Sequence, residues 1–261
     1  MTTLRQQQSS TYAYDNNGNL LTTSSTSYTW DYRNRLTQLV NGVATTTYTY
    51  DAADNRISQT IAQTVGSTTT ASSTFYPNKY YSIVSSANGA TTTATSTDYI
   101  YLGSALLATI DRTYLNGVAS STTTTHYIHP DHLGSTNIVT DKSGNPSQTL
   151  EYYPYGATRL TTGTPTINRQ YIGQFTDPSG LSYLNARYYN STQGQFLSED
   201  PVFLGNPSGQ DLSDPIEVPL YSFCESLHLD HRIPTPLNDH LPHNIRDLFC
   251  GIFSYQNRPQ S

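Results

Sequence analysis

Apolar and polar positions alternate with a period of two along most of the chain. Tyr12 and Tyr14, then Tyr28, Trp30 and Tyr32, then Tyr48 and Tyr50 are separated by Ala, Thr or Asp, and Tyr99 and Tyr101 by Ile100. Residues two apart on a strand share a face, so each group predicts one aromatic stripe with Thr and Ser opposite it. No long stretch carries a helical period, and the expected class is all-β. Asn41-Gly42, Asn88-Gly89 and Asn116-Gly117 each separate two such runs, and the spacing predicts three hairpins with type I′ turns, which need two positive φ angles. Residues 36–40 return as 43–50, 80–87 as 90–101, and 106–115 as 118–127. Two further turns are expected at 15–19 and 141–145, where Asp, Asn and Gly supply local hydrogen bonds and left-handed backbone. The Thr/Ser tracts at 68–74, 91–97 and 120–125 are read as solvent-facing strand ends.

The pattern repeats itself. A Tyr-x-Tyr/Trp-Asp unit recurs at Tyr12, Tyr14 and Asp15, at Tyr28, Trp30 and Asp31, and at Tyr48, Tyr50 and Asp51. A polar turn follows each time (Gly18, Arg35 and Arg56 lie in or just after it), and then an aliphatic residue opens the next strand. The repeat length varies by a few residues, which suits hairpins with variable loops. The prediction is an antiparallel hairpin meander.

Composition narrows the function. The 261 residues include 22 Tyr but only 12% charged residues, and 13 basic against 19 acidic residues give a formal charge of -6. No basic stripe for nucleic acid follows from this, and no apolar run reaches the roughly 20 residues of a membrane helix. Residues 1–10 are polar, so no secretory signal is expected in this chain.

The Tyr-x-Tyr-Asp units resemble the YD repeats of RHS-type proteins and of the teneurin YD-shell. A longer ordered match resembles the RHS repeat-associated core. It runs through Asp131-His132-Leu133-Gly134-Ser135, Tyr155-Gly156, Ala186-Arg187-Tyr188-Tyr189, then Gly194, Phe196, Asp200 and Pro201. The resemblance implies part of a large β-shell, with a small irregular core or plug that encloses or presents a variable C-terminal polypeptide, often a toxin. It also implies an extracellular or cell-surface setting, and partners in the rest of a longer shell chain or its C-terminal cargo. The expected organisation is a YD-repeat sheet at 1–126, the core at 127–203 and a divergent, poorly structured tail at 204–261.

Chemistry is sparse. The family's core can release its cargo by aspartate-dependent self-cleavage, and Asp200 and Asp214 are the candidate carboxylates by position. Both precede Pro, and Asp before Pro starting a turn is the preferred reading. Asp177-Pro178-Ser179-Gly180-Leu181 spells the closing motif but falls at an internal turn, so cleavage is not assigned there. In the tail, His228, His231, His240 and His243, flanked by Cys224 and Cys250, form two His-x-x-His pairs. Prolines interrupt them and their spacing fits no zinc module, so neither metal nor cofactor is expected. His126, His129 and His132 cannot all share one strand face. The expectation is a non-enzymatic shell or plug segment. The alternative is a cell-surface module whose tyrosines bind glycan or protein; the third reading is a self-cleaving core.

Overall fold

A computed structural model describes residues 12–164 and 167–200. No α-helix occurs among them, and the strands follow one another as neighbours. They are β1 (Ala13–Tyr14), β2 (Leu20–Thr22), β3 (Thr26–Trp30), β4 (Leu36–Asn41), β5 (Ala44–Tyr50), β6 (Arg56–Val65), β7 (Thr68–Asn78) and β8 (Tyr81–Asn88). The same sheet continues with β9 (Thr91–Leu102), β10 (Ala105–Leu115), β11 (Val118–Ala119), β12 (Thr124–Pro130), β13 (Thr136–Thr140), β14 (Pro146–Tyr152) and β15 (Thr158–Gly163). Together they form one antiparallel 15-stranded sheet in chain order, with β11 paired beside β10. This is the predicted meander. β12 runs through the point where the sequence reading divides repeat region from core, so residues of the core motif continue the wall.

The Asp of each YD unit explains why the strands reverse where they do. At Asp15, Asp31, Asp51, Asp131 and Asp141 the same five-residue turn forms. The Asp N–H donates to the carbonyl four residues on, and the residue three on donates back to the Asp carbonyl. One carboxylate oxygen accepts the backbone N–H groups two and four residues on, at 2.8 to 3.0 Å. The geometry needs a left-handed residue in the fourth place, and Gly18, Asn34, Asp54, Gly134 and Gly144 all have positive φ there. Gly, Asn and Asp are the residues that enter this region at least cost. Neighbouring turns are tied along the sheet edge: Asn19 Nδ2 donates to Asn34 Oδ1 at 2.8 Å, and Arg35 pairs with both Asp31 and Asp54 at 2.7 Å.

The hairpins at the opposite edge differ in type from the expectation. Only Asn116 and Gly117 both have positive φ, as a type I′ turn demands. At the other two sites Asn41 pairs with Ala44, and Asn88 with Thr91, so Asn closes the ladder and Gly is the first loop residue. A single positive φ at a leading Gly is the type II′ arrangement. Gly66 and Gly103 make two more hairpins of this kind, without an Asn to announce them. The Thr/Ser tracts at 68–74 and 91–97 lie within β7 and β9, exposed over their first residues. Residues 120–123 loop out between β11 and β12 instead of extending a strand.

After β15 the chain leaves the sheet and crosses one of its faces as a strap, residues 167–200. The strap contains a 3-10 turn at Tyr171–Gly173 and a second antiparallel sheet of β16 (Phe175–Thr176), β17 (Leu181–Tyr183), β18 (Tyr188–Asn190) and β19 (Gln195–Phe196). Its apolar side chains complete two cores. Leu181, Tyr183, Tyr188 and Leu197 pack on Leu20, Tyr28, Leu36, Leu39 and Tyr48, while Ile167 packs with Tyr99, Leu106, Ile128, Val139 and Leu150. Each fully covered side chain of this size contributes roughly 1.5 to 3 kcal/mol. Phe175 touches both cores. Backbone bonds fix the strap at its two ends, from Leu20 N–H to the Leu197 carbonyl at 2.8 Å and from Thr136 N–H to the Gln170 carbonyl at 3.0 Å.

Candidate functional site

The chemistry of the chain concentrates at the seam between wall and strap. Arg56 opens β6 after the third Asp turn, and the strand alternation points it at the covered face. Its guanidinium meets Asp177, from the turn joining β16 to β17, at 2.7 Å, and both side chains are at most 2% exposed. Five rings surround Arg56: Tyr183 at 4.4 Å, Tyr76 at 4.7 Å, and Tyr48, Phe175 and Tyr188 just under 6 Å. The Tyr183 hydroxyl accepts the Arg56 backbone N–H at 3.1 Å, and the Tyr188 hydroxyl accepts from Nη1 at 3.3 Å. Burial opposes a charge here, yet the Asp177 carboxylate outweighs it and holds Arg56 well above its ordinary range. Burial also raises the surrounding phenols; Tyr76 is pushed up to about 12 and Tyr48 and Tyr188 rise further. The site is therefore a cation–carboxylate pair sealed in neutral aromatic walls.

Two more strap arginines show what varies. Arg169 stacks on Phe175 at 3.8 Å and lies over Tyr99, and it donates to the carbonyls of Gly173 and Lys79. It has no carboxylate partner among the described residues, and burial lowers its pKa. Arg187 stacks on Phe196 at 3.8 Å and pairs with Asp200 at 2.6 Å. Asp200, the last described residue, is thereby tied to the strap.

The repeat-motif residues divide into turn makers and wall makers. Asp15, Gly18, Asp31 and Asp51 build turns; Tyr28 and Tyr48 are buried; Tyr12 and Tyr14 are exposed at the β1 edge. Trp30 donates its indole N–H to the Leu20 carbonyl at 2.8 Å, and the Tyr50 hydroxyl donates to Leu36 at 2.7 Å. Arg35 stays at the rim, in the place that Asn19 and Asn55 take after their own Asp, whereas Arg56 is one residue further on and stands where Leu20 and Leu36 stand, turned inward. Gly18 has Glu199 of the strap so close that a Cβ would lie 2.6 Å from it.

Of the core motif, Asp131, Gly134 and Ser135 form a turn whose Ser135 hydroxyl accepts the Ile172 N–H at 3.1 Å; His132 and Leu133 are exposed. The Tyr155 carbonyl accepts from the Tyr189 hydroxyl at 2.9 Å, and Gly156 leaves room for the Tyr171 ring, which a Cβ would meet at 2.3 Å. Ala186 sits in the β17–β18 turn, donating its N–H to the Leu184 carbonyl at 2.8 Å, and Gly194, at φ 69, in the β18–β19 turn. His126 is buried beside Asp111 at 3.4 Å, where burial raises the Asp111 carboxyl against the pull of Thr97 and His126. His129 faces solvent on the opposite side of β12, bonded to Thr140. Among the described residues no three His, Cys, Asp or Glu gather as metal ligands. Pro201, Asp214, Cys224, His228, His231, His240, His243 and Cys250 lie outside the described residues.

Asp177 and Arg169 escaped the sequence reading as partners of the wall. The available signal was Arg56 itself: a charge at a position where the alternation points inward implies a distant counter-ion. A groove of about 440 Å³ also lies along the seam, lined by Thr23, Ser25, Asn41, Ser179, Asn190 and Gln193 among others, with no charged residue in its lining.

Comparison with known proteins agrees with this architecture. The family model of the teneurin YD-shell matches residues 106–227. The chain is 29% identical over 196 residues to the tRNA3(Ser)-specific nuclease WapA of Bacillus spizizenii, covering 72% of this chain and 8% of that protein. It is 26% identical over 232 residues to the double-stranded DNA deaminase toxin A of Burkholderia cenocepacia, covering 74% and 15% respectively. The crystal structure of TcdB2-TccC3 superposes with a TM-score of 0.65 at 21% identity, over 80% of this chain and 10% of the other. A Photorhabdus luminescens Tc holotoxin pore gives the same values. The chain thus spans only 8% to 15% of the length of these curated relatives.

Proposed function

We propose that this chain, a YD-repeat protein of the RHS type whose residues 106–227 belong to the teneurin YD-shell family, serves as a section of shell wall with its plug attached, enclosing or presenting a variable C-terminal polypeptide. The observation that carries this reading is the strap. It lies across the sheet and is locked to it by Arg56–Asp177, with Arg187 holding Asp200 in its C-terminal part. The chain itself is non-enzymatic in this reading. The nuclease and deaminase names describe proteins many times its length, and they suggest a toxin cargo and a secreted or extracellular setting for the parent molecule.

Fusing a folded, protease-sensitive reporter after residue 200 tests the reading. Residues 12–200 are expected to survive limited proteolysis as one body and to slow digestion of the reporter relative to the reporter alone. Equal digestion rates would refute enclosure, and an early cut inside the strap would refute the locked plug. A second reading, a surface module for glycan, is favoured by one observation: the seam groove offers hydroxyls and amides without charge, which suits a neutral polyhydroxylated ligand. Glycan-array binding that is lost in Asn41→Ala supports it; no signal above background sinks it.

A further inference from the structure

The last strand of the wall has one unpaired edge among the described residues. β15 pairs only with β14 among the described residues, and all six of its residues are exposed. The Thr164 N–H bonds to the Ser147 carbonyl. Alternation along the strand therefore turns Thr162 toward β14 and leaves the N–H and C=O of Thr161 pointing away from the sheet. Natural edge strands are blunted by Pro, Lys, bulges or covers. The outer edge of β15 carries no Pro or Lys; its bulge is confined to Arg159 near the start of the strand, and that one charge is paired with Glu151.

We propose that β15 is a homodimerisation edge, joining two copies of this chain by antiparallel pairing about a two-fold axis at Thr161. In that register Thr161 faces its symmetry mate and the two exchange both backbone hydrogen bonds. Leu160 then faces Thr162, and Arg159 faces Gly163, so no like charges meet. A second copy is the occupant the structure favours, because the other strands with an open edge among the described residues, β1, β11, β16 and β19, are only two residues long. Among the described residues, the edge that matches β15 in length is another β15.

Sedimentation of the whole chain across about 1 to 100 μM gives the test, since a real dimer depends on concentration. Wild type is expected to dimerise in that range. Thr161→Pro removes only an outward N–H that the sheet does not use, and Thr161→Lys places two ammonium groups opposite each other. Each is expected to weaken dimerisation roughly tenfold or more, while the melting temperature at a concentration low enough for wild type and variant both to be monomeric stays unchanged. Hydrogen exchange supplies the second readout. The Thr161 amide gains protection as concentration rises, whereas Thr162 is protected throughout. A monomer over the whole range, or a dimer indifferent to both substitutions, overturns the proposal.

Discussion

Asp177→Asn removes one charge from the seam and almost no volume. Arg56 cannot respond by releasing its proton, because a guanidinium stays charged at any accessible pH. At 2.7 Å and an effective dielectric constant of about 20, the attraction lost is about 6 kcal/mol, of which desolvation of Asp177 returns a part. Breaking a buried pair on one side costs about 3 to 5 kcal/mol. The tyrosine faces soften the loss but supply no counter-ion. For a body of this size the expected fall in melting temperature is roughly 6 to 20 °C. Removing both charges is a different perturbation. Arg56→Met with Asp177→Leu fills the aromatic cage with apolar side chains, and such replacements are often neutral or stabilising by about 1 to 4 kcal/mol. Calorimetry at neutral pH on both variants decides the matter. A drop under about 2 °C for Asp177→Asn, or a double variant no more stable than the single one, would refute the claim that the pair is sealed from water.

Other outcomes follow from the same geometry. Arg169→Met is expected to cost less than about 1.5 kcal/mol or to stabilise, because Arg169 carries a buried charge with no carboxylate beside it; a loss as large as that of Arg56→Met alone counts against this. Gly156→Ala combines a positive φ of 83° with a Cβ only 2.3 Å from the Tyr171 ring, so a loss of about 2 to 4 kcal/mol is expected in urea unfolding. Burial pushes Asp31 up, but Arg35 and the backbone N–H groups outweigh it and hold the carboxyl low; backbone and Asn side-chain bonds do the same for Asp51 and Asp141. Their contribution is therefore full above the unfolded carboxylate pKa of about 3.9 and lost as pH falls below it, and Asp31→Asn should flatten the acid limb of a stability–pH curve.

The wall was legible because its information is local. A Tyr stripe, an Asp that folds back on its own backbone and a left-handed residue three positions later lie within a few residues of one another. The Asn-Gly signal located hairpins correctly yet misjudged two turn types, since register depends on the pairing of whole strands rather than on the dipeptide. The strap was legible as a string of motifs but not as a position. Arg56 and Asp177 are separated by 121 residues, and nothing in the alternation around either one names the other. Arg35 and Arg56 go opposite ways because they lie four and five residues after their Asp: the first falls on the rim with Asn19 and Asn55, and the second takes the inward place of Leu20 and Leu36, where a strap carboxylate meets it.

Chain order and neighbour order coincide along the large sheet, while the strap joins parts of the chain more than 120 residues apart. A ribosome delivering this polypeptide from its N-terminus can therefore add each hairpin to a surface already present, at small loop-closure cost. The strap follows the sheet in the chain and lands on strands already present. Until residue 200 has emerged, Leu36, Tyr48, Val139 and Leu150 have no cover, and a chain stopped near β15 exposes a sticky apolar face to the cell's quality control. Correct seating of Asp177 then becomes the event that takes this face out of reach.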